Sequence, residues 1–247
     1  MPDKGFAVVT AGASGIGRAV AALLAESGRK VVITDIDLRA GEAAAREIGC
    51  AFHACDMGDS DAIEALFARF PRVDVLVNNA GVAGPTLPVH EMPVAEWKRT
   101  MDINITGHFV AARAVLPGMI AAKQGVIINL ASVAAKIGYP NRSPYAASKW
   151  AVLGFTASLA REVGELGIRV NAILPGAIRG ERMISVVQEH ADLNGMSFED
   201  AEALYMRRQA TRRMIEPEEV AATIMFLVSD AARSITGEFI GVNGGFE

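Results

Sequence analysis

The sequence predicts an α/β fold: a doubly wound, seven-stranded parallel sheet with helices on both faces. Three observations carry that prediction. Short apolar runs alternate with Ala- and Leu-rich helical stretches along nearly the whole chain. Several runs are apolar at every position rather than at alternate ones, as strands covered on both faces require. No Pro/Ser/Gly-rich linker, charge block or repeat beyond the strand–helix unit interrupts the series, so residues 1–247 read as one domain.

Residues 6–10 read as a short buried strand, followed by the turn Ala11-Gly12-Ala13-Ser14-Gly15-Ile16-Gly17 and a helix over 18–26 that stops at Gly28. Residues 30–34 form the second strand, ending at Asp35, and 50–54 the third, running to Asp56. A helix is expected over 59–70 and the fourth strand over 73–77, ending in Asn78-Asn79-Ala80-Gly81. The helical stretch from about 93 to 122 is expected to break near Asp102 and to be perturbed at Pro117. Residues 125–130 form a strand that delivers Ser132 at its C-terminal end. A helix over 144–166, a strand over 168–174 ending in Pro175-Gly176, a helix over 217–229 and a strand over 238–243 complete the set.

Composition narrows the function. The chain is 51% apolar with 24 glycines and 21% charged residues, enough to bury a sizeable core. A net charge of −4 argues against a nucleic-acid partner, which needs clustered positive charge. Cys50 and Cys55, five apart on one predicted strand, should point to opposite faces, so neither a disulfide nor a C-x-x-C site is expected. His53, His90, His108 and His190 are scattered without metal-ligand spacing, so no metal is expected. The N-terminus shows no signal peptide and no apolar stretch reaches about 18 residues, so the expectation is a soluble, cytoplasmic protein without a membrane partner.

Two constellations carry chemistry. Strand, glycine-rich turn and helix together let backbone approach a pyrophosphate at a helix N-terminus. Asp35 follows Gly17 by 18 residues at the tip of the second strand, placed to accept hydrogen bonds from an adenosine ribose; the plainer alternative is an Asp that caps the next helix. In the second constellation, Tyr145 and Lys149 stand four apart and share one helix face. A phenol beside an ammonium is a tunable acid/base. Ser132, thirteen positions before the tyrosine, can hydrogen-bond the same reacting oxygen. That combination suits proton transfer to and from an alcohol or carbonyl oxygen. Alone, Tyr-x-x-x-Lys is also a common packing pair on helices.

Over essentially its whole length the chain resembles the short-chain dehydrogenase/reductase family. The residues that carry the resemblance are Thr10-Ala11-Gly12-Ala13-Ser14-Gly15-Ile16-Gly17, Asp56, Asn78-Asn79-Ala80-Gly81, Asn104, Ser132, Tyr145-x-x-x-Lys149 and Pro175-Gly176. The resemblance implies a single Rossmann-type domain, a nicotinamide dinucleotide cofactor and a homotetramer. It implies Asn104, Ser132, Tyr145 and Lys149 as the catalytic group: Tyr145 as acid/base, Lys149 also holding the nicotinamide ribose, Ser132 orienting the substrate oxygen, and Asn104 in a proton relay. For the cofactor it implies Gly12, Ser14, Gly15, Ile16 and Gly17 around the diphosphate. Asp56, Met57 and Asn79 would lie about the adenine, with Ala80 and Gly81 following in the same turn. Pro175, Gly176 and Ile178 would meet the carboxamide.

Two positions depart from the family pattern. Ala11 stands where its first glycine belongs, so the turn is expected to use Gly12 instead; Gly180 stands where a threonine is frequent. Asp35 opposes the extra phosphate of NADP, and Ser14, not Lys or Arg, precedes Gly15; the expected cofactor is NAD.

Between Pro175-Gly176 and the helix at Pro217 lie 40 residues, 177–216, long enough to be a lid over a site. Helices are expected over 183–190 and 197–208. Six arginines balance six acids over 177–213, which favours a solvated face. Arg179 and Arg182 nevertheless follow the nicotinamide loop, and Arg142 precedes Tyr145 by three positions, which raises an anionic substrate. The leading reading is NAD-dependent hydride transfer with a secondary alcohol or ketone of a hydroxy acid, polyol or sugar. The competing readings are a 3-oxoacyl-thioester reductase using NADPH and a non-catalytic dinucleotide-sensing module.

Overall fold

The computed structural model describes residues 5–246. Its strands are β1 (Phe6–Thr10), β2 (Lys30–Asp35), β3 (Ala51–Ala54), β4 (Val73–Asn78), β5 (Gly125–Leu130), β6 (Ile168–Pro175) and β7 (Phe239–Val242). They form one sheet in the order β3-β2-β1-β4-β5-β6-β7, parallel throughout. The order reverses between β1 and β4, and in such sheets the crevice beyond the strand C-termini at that point takes the ligand.

The helices are α1 (Gly15–Glu26), α2 (Leu38–Ile48), α3 (Ser60–Phe67), α4 (Val94–Met101), α5 (Gly107–Ala122), α6 (Ser143–Val163), α7 (Glu181–Asn194), α8 (Phe198–Met206) and α9 (Pro217–Val228). Alternate strand residues feed two cores. Val9, Ile33, Val77 and Ile128 pack under α1, α2 and α9, whereas Val8, Val32, Leu76 and Ile127 pack under α3, α5 and α6. Both faces being covered, β4 and β5 are buried at every position. This is the physical reason their sequences are mostly apolar on both faces, with Asp74, Asn78 and Asn129 as buried polar exceptions.

Several local expectations change. The helical stretch does not break at Asp102: α4 runs into a π-helical turn, Asp102–Thr106, whose closing bond joins Gly107 N–H to Asp102 O, and then into α5. Pro117 sits inside α5 on its exposed side without ending it. Residues 94–122 therefore form one 29-residue helical run, apolar enough by length and composition to cross a bilayer, contrary to the expectation that no such stretch exists. A core helix passes the same test, and here Val110, Ala111, Val115 and Met119 pack against the sheet.

The helix expected over 59–70 ends at Phe67, and its N-cap Asp59 accepts from the N–H groups of Asp61 and Ala62. β3 begins at Ala51, so Cys50 precedes the strand and Cys55 follows it; both are free. Burial, with Asp56 and Asp59 adding to it, pushes the Cys55 thiol up to about 11. In the lid, α7 starts earlier and ends later than the predicted 183–190, and Ser197 caps α8 by accepting from Asp200 N–H. Val187, Ala191, Ala201, Met206 and Met214 form an apolar cluster of their own there.

Candidate active site

The glycine turn is strained where the sequence departs from the family. Ala11 itself adopts φ 50°, the left-handed region that disfavours any residue with a Cβ. Gly12 does not take over that role, contrary to expectation. It is needed for space, since a Cβ there would lie 2.6 Å from Ile33 Cβ. Gly17 packs so closely on Ala11 that a Cβ would collide with the Ala11 carbonyl and approach Asn79 Nδ2 to 2.6 Å. Gly15, at φ 51°, opens onto free space. Helix α1 begins there, and its N-cap Ser14 makes no side-chain capping bond and no acid stands in its first turn. A helix start with unmatched N–H groups beside an open glycine fits a diphosphate. Ile16 and Gly17 follow in that first turn.

Asp35 is not the cap of α2, because Asp37 does that by accepting from Ala40 N–H at 2.9 Å. The Asp35 carboxylate accepts from Ala13 N–H and from Asp37 N–H, each at 3.1 Å. It braces the glycine turn from the tip of β2. Asp56 is already engaged, accepting from Gly58 N–H at 2.8 Å and from Arg99 at 2.9 and 3.0 Å. Burial pushes its carboxyl up, but those donors outweigh it and hold the group below the usual range. The Met57 side chain is buried beside Thr34.

The turn after β4 is pinned at five backbone groups, the N–H groups of Asn79, Ala80 and Val82 and the carbonyls of Ala80 and Val82. Thr10 Oγ1 accepts from Asn79 N–H and Ala80 N–H, each at 3.0 Å. The Asn79 amide reaches back to donate to Thr10 O and Ala11 O, so it shapes the glycine turn. Asn104, fully buried in the π-helical turn, accepts from Val82 N–H at 2.8 Å and donates to Val82 O and Ser148 Oγ, each at 2.9 Å. Its side chain is thereby occupied in positioning. His108 Nε2 lies 3.0 Å from Ala80 O. A Cβ at Gly81 would sit 3.2 Å from Lys149 Nζ and 3.4 Å from Asn104 Oδ1. A side chain at 81 would have to push the lysine or the asparagine aside by a few tenths of an ångström.

Tyr145 and Lys149 stand one turn apart on α6, with Lys149 Nζ 5.9 Å from the Tyr145 ring centroid. The ammonium donates to Leu130 O at 2.7 Å, two residues before Ser132, which ties the helix pair to the strand end bearing the serine. Ser132 Oγ accepts from Ala134 N–H at 3.2 Å, leaving its own hydrogen to donate elsewhere. The structure thus gathers Lys149, Asn104 and Gly81, with Tyr145 on the same helix as Lys149 and Ser132 just beyond the Leu130 carbonyl that Lys149 holds.

Beyond Pro175, the last residue of β6, Gly176 N–H donates to Val242 O at 3.1 Å. Ile178 pairs with Ile215, so the loop after β6 is tied to the far end of the 177–216 segment. Arg179 Nε donates to Glu216 at 2.8 Å. The Arg182 side chain lies outside the described residues. Arg142, with its guanidinium carbon 5.7 Å from the Tyr139 ring centroid, has no carboxylate partner among the described residues. Tyr139 in turn meets Tyr145 edge-on, centroids 6.4 Å apart. Sequence reasoning missed the clamping roles of Thr10, Ser148 and His108; none has a spacing that signals them.

Fold and site together fit the class expected from the sequence, a dinucleotide-binding oxidoreductase. A family model described as Enoyl-(Acyl carrier protein) reductase matches residues 10–247. The chain is 40% identical to cis-4-hydroxycyclohexanecarboxylate dehydrogenase of Sinomonas cyclohexanicum, covering 97% of this chain and 95% of that protein. It is 37% identical to 2-dehydro-3-deoxy-L-rhamnonate dehydrogenase (NAD(+)) of a Sphingomonas species, covering 97% and 94%. A solved structure of an actinorhodin polyketide ketoreductase variant with NADPH superposes with a TM-score of 0.93 at 33% identity, covering 99% of this chain and 98% of that one. The chain belongs to the short-chain dehydrogenase/reductase family, whose members act on CH–OH groups.

Proposed function

We propose that the protein is an NAD-dependent oxidoreductase that moves a hydride between a secondary alcohol, or the matching ketone, and the nicotinamide. The observation that carries this reading is the pairing of Tyr145 and Lys149 on α6 with Lys149 bonded to the strand end that bears Ser132. When bound, the nicotinamide supplies the hydride acceptor or donor. Tyr145 takes the hydroxyl proton in oxidation and returns it in reduction. Lys149 steadies negative charge on the phenolic oxygen. The Ser132 hydroxyl, free to donate, orients the substrate oxygen.

NAD is favoured over NADP by the Asp35 carboxylate, which repels an added phosphate, and by Ser14 where a cation would serve one. The relative whose name carries NAD(+) agrees. The substrate is a hydroxy acid, polyol or sugar. Arg142, without a carboxylate partner among the described residues and two ring contacts from Tyr145, supports an anionic group on it, as does the relative named for a hydroxycyclohexanecarboxylate. The second reading, a 3-oxoacyl-thioester reductase with NADPH, draws on the acyl-carrier-protein family description and the NADPH-bound ketoreductase; Asp35 counts against it. A homotetramer accords with Phe109 on α5 and Trp150 on α6, which are exposed at 44% and 52%.

Tyr145→Phe tests the whole proposal. Turnover of a hydroxy-acid, polyol and sugar panel with NAD should fall about 10²–10⁴-fold, while NADH titrated by fluorescence still binds. Undiminished turnover would remove Tyr145 from the chemistry. Preferred turnover of an acyl thioester with NADPH would move the assignment to the second reading.

A further inference from the structure

We infer that His108 is a positioning residue that fixes the cofactor-lining turn 79–82 through the Ala80 carbonyl, an inference that rests on the dinucleotide reading above. His108 lies in the first turn of α5 and is fully buried. Its Nε2 stands 3.0 Å from Ala80 O. A carbonyl oxygen only accepts, so Nε2 carries the hydrogen and Nδ1 is left as a bare acceptor. Among the described residues Nδ1 has no partner. An apolar side chain would fill this place without stranding a ring nitrogen, whose burial costs free energy. The compensation lies at Ala80, itself buried, whose carbonyl has this imidazole as its hydrogen-bond partner.

The consequence reaches the reacting group through one residue. Ala80 N–H is held by Thr10 Oγ1, and both backbone groups of Val82 are held by Asn104. His108 supplies the remaining clamp, on the carbonyl between them. Gly81 follows directly, and its backbone runs close enough to Lys149 Nζ and Asn104 Oδ1 that a Cβ there would come within 3.2 and 3.4 Å of them. A shift of the Ala80 carbonyl therefore moves the backbone that lies beside Lys149 Nζ. The backbone of His108 is tied to the same place, since Asn78 Nδ2 donates to His108 O at 3.2 Å. Burial and the neighbouring Lys149 ammonium push the imidazole down to about 3, so it works as a neutral donor.

The test compares His108→Gln, which keeps a side-chain N–H, with His108→Met, which fills similar space without one. NADH affinity is read by fluorescence titration and kcat by turnover at saturating NAD. His108→Met should weaken NADH binding roughly tenfold, with kcat reduced by less than about threefold, while His108→Gln stays within about threefold of the parent in both. Should the Met variant melt below the assay temperature, His108→Val takes its place. Equal affinity in parent and Met variant overturns the inference. Equal weakening in Gln and Met also overturns it, by showing a packing role. If the parent itself binds no NADH, the dinucleotide reading fails instead, and this inference falls with it.

Discussion

The turn at 79–82 and the lid at 177–216 both follow C-terminal ends of strands, β4 and β6, but they are built differently. The turn is stiff because side chains from three elements take up its backbone groups: Thr10 at the end of β1, Asn104 in the π-helical turn, and His108 on α5. It is also closely packed, since a Cβ at Gly81 would crowd Lys149 Nζ and one at Gly17 on α1 would come to within 2.6 Å of Asn79 Nδ2. The lid is held by an apolar cluster of its own, with Ile178 paired to Ile215, and its described arginines are largely taken up by neighbours, Arg179 by Glu216 and Arg213 by Glu219. One region is fixed in detail by polar contacts from the body of the fold; the other is a separately packed unit joined at its ends. A cofactor common to a family suits the first arrangement, and a variable substrate suits the second.

The contrast breaks first in the lid. Met206→Ala opens a cavity in the lid cluster and should cost about 2–5 kcal/mol locally. If the lid is packed separately, the loss appears as faster amide exchange and proteolysis over 181–214, while the main melting transition moves little. A matching drop in the main transition would mean that lid and sheet unfold together. Next comes Asp35→Asn, which keeps an acceptor for Ala13 N–H but removes the charge. Its preference for NAD over NADP in kcat/KM should fall roughly tenfold, equivalent to about 1.4 kcal/mol. An unchanged ratio would take the carboxylate out of cofactor choice.

Ala11→Gly relieves the one left-handed alanine of the glycine turn and should raise stability by about 1 kcal/mol, seen as a higher melting temperature. A lower one would show that Ala11 earns its strain through packing. The smallest effect is expected at the lid's exit. Arg213 and the Glu216 N–H hold the Glu219 carboxyl down to about 2, from an ordinary value of 4.5. A depressed acid stabilises above its ordinary value and loses that contribution as pH falls through the folded one. Parent and Glu219→Gln should therefore differ slightly in melting temperature at neutral pH. The difference should shrink between about 4.5 and about 2, and with added salt because the pair is exposed.

Much of the fold was legible because its signals are local. Apolar runs covered on both faces, a glycine turn between strand and helix, and a four-residue Tyr–Lys spacing need no knowledge of what packs against them. The readings that changed depend on partners distant in sequence. Asp35 and Asp37 are both acids near the start of α2, and only the fold shows that the second caps the helix and the first braces residue 13. The expected break at Asp102 became a π-helical turn that carries Asn104 to Val82, 22 residues away. Arg179, raised as an anion-binding residue, is paired with Glu216, 37 positions on.

By itself the sequence determined the sheet, the glycine turn and the placing of a phenol and an ammonium on one helix face, because backbone periodicity and steric need act over a few residues. Tertiary structure alone decided which buried polar groups clamp the turn beside that ammonium. Each clamp joins segments 20 to 70 positions apart, such as Asn104 to Val82 and Thr10 to Ala80, and hydrogen-bond satisfaction of a buried backbone is settled only when those segments meet.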